Sequence, residues 1–96
     1  MKTKVFISQP MHGKSKYKIE RERRALVLDL ESQGFEVLDT VENIDENMPP
    51  LYYLARAIGK MVYADIVLFM PGWETARGCQ IEHEVALKYG KYVREL

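Results

Sequence analysis

Apolar and polar positions follow two different patterns along the chain. Four short apolar runs, rich in β-branched and aromatic residues, predict strands at residues 4–8, 35–38, 65–70 and 91–93. The third run is the most continuous, which is typical of a parallel strand that is covered on both faces. The longer stretches between the runs carry apolar residues every three or four positions and therefore predict helices.

The first helix is expected over residues 16–33. Ser15 is placed to accept a hydrogen bond from the first turn, and Gly34 stands where helices commonly end in a left-handed residue. The residues expected to face the core are Ile19, Leu26, Val27 and Leu30. The residues expected to form a solvated face are Arg21, Arg23 and Arg24, which alternate with glutamates.

The second helix is predicted to begin at Pro49 and Pro50, because a first turn has no intrahelical partner for its N–H groups and so accepts proline. Its expected apolar face consists of Leu51, Leu54, Ala55, Ile58, Met61 and Val62.

The third helix is expected over residues 79–89, closed by Gly90 and preceded by a loop at 71–78. The acidic stretch 39–47 is expected to be another loop.

This order of elements predicts an α/β fold: a single domain over residues 1–96, with a parallel sheet of about four strands in the order 2-1-3-4 and helices on both faces, as in Rossmann-like and flavodoxin-like proteins. In such sheets, ligands bind beyond the carboxyl ends of the strands, where the winding reverses. The loops at 9–14 and 71–78 are therefore expected to face each other across a crevice.

Composition narrows the classes of function. Lys and Arg total 14, as do Asp and Glu, so the chain lacks the positive charge of a protein that binds nucleic acid polymers. The apolar runs are far shorter than the ~20 residues that cross a bilayer, and the start does not resemble a signal peptide, so we expect no membrane partner and a cytoplasmic location. One cysteine and two separated histidines predict no metal site, and we expect no cofactor.

Glu82 is the position at which the third helix departs from its own pattern. At about 100° per residue, its side chain projects into an arc of apolar residues, whereas Glu84 lies opposite, four residues before Lys88, as an exposed ion pair. The apolar arc consists of Ile81, Val85, Ala86 and Tyr89. Glu82 can line the crevice, or it can lie at the helix edge with its head in water, and the pattern leaves both open.

One chemistry fits a crevice carboxylate that has no metal, Ser–His pair or reactive cysteine beside it. Such a group can attack the anomeric carbon of a glycoside, because positive charge develops on the sugar in the transition state. Backbone N–H groups in the loops of Gly13 and Gly78 would hold phosphate or sugar hydroxyl groups. Neither loop has the glycine pattern of a nucleoside triphosphatase or of a dinucleotide-binding protein.

The chain resembles the nucleoside 2-deoxyribosyltransferase superfamily, and within it the small phage and bacterial proteins of unknown function. The segments that carry the resemblance are residues 5–13, 64–69 and 71–82, with Ala86 and Gly90 behind them. The resemblance implies that Glu82 is the nucleophile, which displaces the base, forms a 2-deoxyribosyl-enzyme ester and passes the sugar to another base or to water.

The chain also departs from the family pattern. Residues 55–58 contain no counterpart of the family's acidic residue for proton transfer to the leaving base, and Ala76 stands where relatives carry Asp or Ser. The first loop lacks the arginine of nucleotide-cleaving relatives, so phosphate contacts would shift to Arg77, His12 or Lys14.

The sequence therefore predicts an enzyme that cleaves or transfers the N-glycosidic bond of a nucleoside or nucleotide, with Glu82 catalytic. The substrate-binding residues expected are Gln9, Met11, His12, Gly13, Trp73, Arg77 and Gly78. Trp73 either stacks on the base or forms an apolar lid over the third helix.

A homodimer or higher oligomer is expected, because the family completes its site across a subunit interface. The alternative function is a non-catalytic protein that binds or sequesters a nucleotide in the same cleft.

Overall fold

A computed structural model describes residues 1–38 and 47–96. The acidic loop expected at 39–47 lies, except for Asn47, outside the described residues. The strands are β1 (Lys4–Ser8), β2 (Glu36–Leu38), β3 (Ile66–Phe69) and β4 (Tyr92–Glu95). The helices are α1 (Lys16–Ser32), α2 (Pro50–Met61) and α3 (Arg77–Lys88), and a short 3-10 turn at Trp73–Thr75 precedes α3.

The four strands form one parallel sheet in the order β2-β1-β3-β4, which confirms the predicted architecture. In the centre of the sheet, Phe6 of β1 lies opposite Val67 of β3, and Ser8 lies opposite Phe69. The chain winds from β1 to β2 on one side and returns past β1 to β3 on the other. The winding therefore reverses between β1 and β3, and their carboxyl ends share one edge of the sheet.

Alternation along the strands divides the core between the two faces of the sheet, and helices cover both. The buried residues on the α1 side are Val5, Ile7, Leu68 and, from the helix itself, Leu30. The buried residues on the α2 and α3 side include Phe6, Val67, Phe69, Ala57, Met61 and Ala86. Each strand residue thus contributes to one core or the other, as the period of two requires.

The prediction that the basic residues of α1 are solvated is wrong at Arg23. Arg23 is 5% exposed, and its guanidinium Nη2 donates a hydrogen bond to the carbonyl oxygen of Leu38 at 3.3 Å. Its neighbours Arg21 and Arg24 are exposed, as expected. The difference arises because α1 runs beside the end of β2, where a long side chain on the inner flank of the helix reaches a strand carbonyl.

The apolar faces predicted for α2 and α3 are only partly correct. Leu51 and Val62 are 72% and 65% exposed, and Tyr89 is 79% exposed. The residues that are buried instead are Ala57 and Met61 in α2, and Cys79, Glu82 and Ala86 in α3. Helix α2 packs mainly on α3, so Leu51 and Val62 remain exposed beside the buried face of the helix.

Among residues 1–38 and 47–96, no helix combines the length and the apolar character needed to span a bilayer.

The start of α1 offers a test of the predicted cap. Ser15 Oγ accepts a hydrogen bond from the backbone N–H of Lys18 at 3.1 Å. We expect Ser15→Ala to lower the free energy of unfolding by about 1 kcal/mol, because that N–H loses its acceptor. Urea unfolding measures the loss. Ser15→Asp, which retains an acceptor, should stay close to the unaltered protein, and an alanine variant of equal stability would contradict the role of the cap.

Candidate functional site

The carboxyl ends of β1 and β3 bring two loops into contact. The backbone N–H of Met70 donates to the carbonyl oxygen of Ser8 at 3.0 Å. Gly72, with a φ of +94°, lies so close to the first loop that a Cβ atom there would be 3.6 Å from Cγ of Pro10. Only glycine adopts this backbone conformation readily. The two loops face each other, as the sequence predicts.

The carboxyl group of Glu82 is buried at this end of the fold. Helix α3 turns Cys79, Glu82 and Ala86 inward, and Glu82 is 8% exposed. Burial disfavours the charged form and raises the pKa of Glu82 from 4.5 to about 7, against a smaller lowering by the Ser8 hydroxyl. The carboxyl head therefore does not lie in bulk water, as it would at the helix edge, and both protonation states are populated near neutral pH.

Ser8 is the side chain of β1 that faces Glu82. It is 1% exposed and lies on the same side of the strand as Phe6, toward α3. Its hydroxyl lowers the pKa of Glu82 and that of Cys79, yet its enclosed oxygen has no hydrogen bond of regular geometry to any described residue. A buried hydroxyl group without such a bond can still bond to a ligand or to water.

Cys79 is a packed thiol rather than a second reactive group. It is 4% exposed, and burial is the main cause that raises its pKa above the ordinary value. The Ser8 hydroxyl and Lys14 lower that pKa, and the charge of Glu82 raises it further. Because the thiolate is the nucleophilic form of cysteine, this environment leaves the thiol unreactive at neutral pH.

Lys14 brings a positive charge to the side of the crevice. Its Nζ lies 3.1 Å from Oε1 of Glu22 on α1, and its charge also acts on Cys79 inside the fold. The lysine side chain is 24% exposed, so it borders both solvent and the interior. An anionic ligand at the crevice would compete with Glu22 for this ammonium group.

The first turn of α3 forms another wall of the site. Ala76 is the N-cap residue and supplies no side-chain hydrogen bond, so the first N–H groups have no cap from it. A Cβ atom at Gly78 would lie 3.8 Å from Oε2 of Glu82, which means that glycine leaves this side of the carboxyl group uncovered. Arg77 is exposed at the same turn. Helix starts of this kind suit anions or hydroxyl groups.

The first loop divides the predicted binding residues into two groups. Gln9 is buried, and its Nε2 donates to the carbonyl oxygen of Ile19 at 2.9 Å, so its amide ties the loop to α1. Met11 is half-buried and its carbonyl oxygen accepts from the N–H of Lys14. His12 and Gly13 are exposed at the tip of the loop. Gln9 therefore supports the loop, whereas the tip residues are accessible to a ligand.

Trp73 packs on α3, which is the lid arrangement among the two that the sequence left open. Its ring lies parallel to that of His83, with centroids 4.1 Å apart and an interplanar angle of 10°. Its centroid is also 5.5 Å from that of Phe69. One face of the indole is thus occupied by an imidazole of the same chain.

Sequence reasoning missed two features of the site. Ser8 could have been found, because the alternation of side chains along β1 already points it toward the helix that carries Glu82. The pair formed by His83 Nε2 and Glu95 Oε2, 2.8 Å apart, could not, because it depends on how α3 and β4 pack. Within the described ranges, there is no cluster of three or more side chains that could hold a metal ion.

One known protein family matches almost the whole chain. The sequence profile of a family described as "Domain of unknown function (DUF4406)" matches residues 3–95. The chain belongs to the DUF4406 family. A search among curated proteins found no match. The matched range contains β1, both loops and α3, so Ser8, Glu82 and the loops beside them are part of the DUF4406 domain itself.

The raised pKa of Glu82 makes the stability of this DUF4406 domain depend on pH. Between pH 4.5, where the unfolded carboxyl group titrates, and about 7, only the folded state holds the proton, so unfolding releases it and rising pH favours unfolding. We expect a loss on the order of 3 kcal/mol in the free energy of unfolding across this window. Denaturant titrations at several pH values measure it.

Glu82→Gln provides the comparison for that measurement. Glutamine carries no titrating proton, so the difference in stability between the two proteins should change across the same pH window. Glu84→Gln, at an exposed position on the same helix, is the control and should follow the unaltered protein. Parallel pH profiles for the unaltered protein and the Glu82 variant would show that Glu82 titrates alike in both states.

Proposed function

We propose that this protein belongs to the nucleoside 2-deoxyribosyltransferase superfamily, and that it cleaves or transfers the N-glycosidic bond of a nucleoside or nucleotide with Glu82 as the nucleophile. The observation that supports this is the carboxyl group of Glu82, 8% exposed, where the two loops meet. A core position gains nothing from an ionisable group. Groups with a perturbed pKa in crevices are typical of active sites.

The reaction proceeds in two displacements. A carboxylate oxygen of Glu82 attacks C1′ of the sugar, the bond between C1′ and the base nitrogen breaks, and its electron pair leaves with the base. The departing base takes a proton from water. Water or a nitrogen of a second base then attacks C1′ of the glycosyl ester and gives its proton to the hydroxide that the first step left, which releases Glu82 as a carboxylate and completes hydrolysis or transfer.

The environment of Glu82 suits the first displacement. Only the ionised form can attack, and a poorly solvated carboxylate gains more from the positive charge that develops on the sugar than an exposed one does. The Ser8 hydroxyl already favours the ionised form, since it lowers the pKa of Glu82. In this account, Ser8 donates to the carboxylate oxygen that does not attack.

The walls of the crevice supply contacts for the sugar and for a 5′-phosphate. The N–H of Gly78 at the start of α3 meets a hydroxyl or phosphate oxygen, and the ammonium group of Lys14 leaves Glu22 for the anion. His12, Gly13 and Arg77 contribute from the exposed rim. Gln9 and Met11 hold the shape of the first loop. Trp73 borders the base with the part of the indole that His83 leaves uncovered.

A non-catalytic nucleotide-binding protein is the alternative function. The observation that favours it is the lack of a second acid among the described groups that act on Glu82 or Cys79, which are Ser8 and Lys14. At the matching positions, Ala57 lies in the core and Ala76 caps α3. Such a protein would keep the buried carboxyl group and the open first turn of α3, and would bind the nucleotide without releasing the base.

We also propose that the protein acts in the cytoplasm as a homodimer or higher oligomer. Helix α2 and the turn after it support the assembly, because Leu51, Val62 and Tyr63 are each at least 65% exposed. Association that removes such side chains from water is favourable. A second copy also offers a source for the acidic group that the described residues do not place beside Glu82.

Release of free base tests the proposed activity. The protein is incubated with 2′-deoxynucleosides and with their 5′-monophosphates, and the base is quantified by chromatography. We expect Glu82→Gln to slow release by about a thousandfold or more, because it removes the nucleophile while it keeps the shape of the side chain. Glu84→Gln is the matched control and should retain activity. Undiminished release by Glu82→Gln contradicts the proposal, and binding without release by the unaltered protein favours the alternative.

The pH dependence of base release distinguishes a nucleophile from an acid. Because the ionised form of Glu82 must attack, kcat/KM should rise about tenfold per pH unit below 7 and level off above it. Initial rates at substrate concentrations well below KM give this profile. A rate that falls as pH rises through 7 would mean that the protonated form is needed, and would overturn the nucleophilic role.

A further inference from the structure

Three side chains from three different elements form a connected stack beside the candidate site. Trp73 of the 3-10 turn lies flat on His83 of α3, and Nε2 of His83 is 2.8 Å from Oε2 of Glu95 at the end of β4. The His83 ring also meets Phe69 at the end of β3, with centroids 4.8 Å apart. The stack therefore joins the carboxyl ends of β3 and β4 to the helix that carries Glu82.

The stack also determines where the loop after β3 lies. Trp73 follows directly after Gly72, and a Cβ atom at Gly72 would lie 3.6 Å from Cγ of Pro10 in the first loop. The segment is further braced by two hydrogen bonds, from Thr75 Oγ1 to the carbonyl oxygen of Gly72 at 3.1 Å and from Gln80 Nε2 to that of Glu74. When Trp73 is held on α3, Gly72 is held against Pro10, and the crevice keeps its width.

Two contacts hold the His83 ring in the stack: its flat face lies on the indole of Trp73, and its Nε2 bonds to Glu95. The His83 side chain is 17% exposed and contacts the rings of both Trp73 and Phe69, so the polar group on its edge needs a hydrogen-bond partner. The Glu95 carboxylate satisfies that group and determines the orientation of the imidazole ring. In the orientation that this bond sets, the imidazole plane is within 10° of the indole plane.

We propose that His83, oriented by Glu95, is a positioning residue that holds Trp73 and the loop after β3 over the crevice of Glu82. The role in substrate binding depends on the proposed function, whereas the placement of the loop does not. Loss of the stack loosens one wall of the crevice and leaves the reacting carboxyl group in place. Binding is then weakened more than the chemical step.

Intrinsic fluorescence tests the placement of the loop, because Trp73 is the single tryptophan of the chain. We expect His83→Ala to shift the emission of Trp73 to longer wavelength and to increase its quenching by acrylamide, since the indole loses its cover. His83→Phe restores the stack and should reverse both changes. Glu95→Gln, which keeps a hydrogen-bonding group, should resemble the unaltered protein, and Glu95→Ala should show part of the change. Glu84→Gln, at an exposed position on α3, is the control.

Base-release kinetics with deoxynucleoside monophosphates test the role in binding. His83→Ala should raise KM about tenfold with kcat nearly unchanged, and His83→Phe should restore KM. A loss of kcat at unchanged KM would overturn the positioning role. Emission and quenching of Trp73 that do not respond to His83→Ala would overturn the inference altogether.

The two proposals fail in different ways. If the unaltered protein releases no base and binds no nucleotide, the proposed function fails. The fluorescence of Trp73 and hydrogen exchange at the backbone amides of residues 72–76 need no substrate, so they still test the inference. Faster exchange in His83→Ala that reverts in His83→Phe supports it, and equal exchange in all three proteins overturns it.

Discussion

The enclosure of one carboxyl group, that of Glu82, is the constraint from which the functional account follows. The winding of the sheet reverses between β1 and β3, so two loops meet above the strand ends, and α3 turns a glutamate into the space beneath them. Keeping that group away from water raises its pKa to about 7, and the folded state pays with stability once the group ionises. A fold selected for stability alone would place an apolar residue there.

The residues around Glu82 have separate structural roles. Ser8 presents a buried hydroxyl to the carboxyl group, and Gly78 leaves one of its sides uncovered. Gln9 ties the first loop to α1 through the carbonyl oxygen of Ile19. His83 and Glu95 brace the opposite loop. The site is therefore supported by residues from several elements, although its chemistry rests on one side chain.

Local patterns in the sequence predict most of the architecture. Alternation predicts the strands, and Ser15 marks the start of α1 at the residue where the helix begins. Helical spacing already places Glu82 on the same side of α3 as Ala86, but it left open whether the carboxyl head reaches water, because that depends on the elements packed around it. Its family, by contrast, is shown only as DUF4406, so the link to a glycosidic activity stays a proposal.

Features that depend on how close two elements lie in the fold could not be predicted from local sequence patterns. Arg23 has the local pattern of a solvated residue, and only the closeness of β2 explains why its guanidinium group reaches the carbonyl oxygen of Leu38. Likewise, nothing in the spacing of His83 and Glu95 shows that β4 ends beside α3. Helix α2 packs mainly on α3, which leaves part of its apolar stripe exposed, so periodicity overstated the burial of Leu51 and Val62.

The state of the Glu82 carboxyl group can be measured directly by NMR, from the pH dependence of its side-chain carboxyl carbon resonance, assigned with the Glu82→Gln variant. Enclosure in the crevice predicts a midpoint near pH 7. A midpoint near 4.5, the ordinary value for glutamate, would mean that the group is solvated, and would contradict both the buried site and the chemistry built on it.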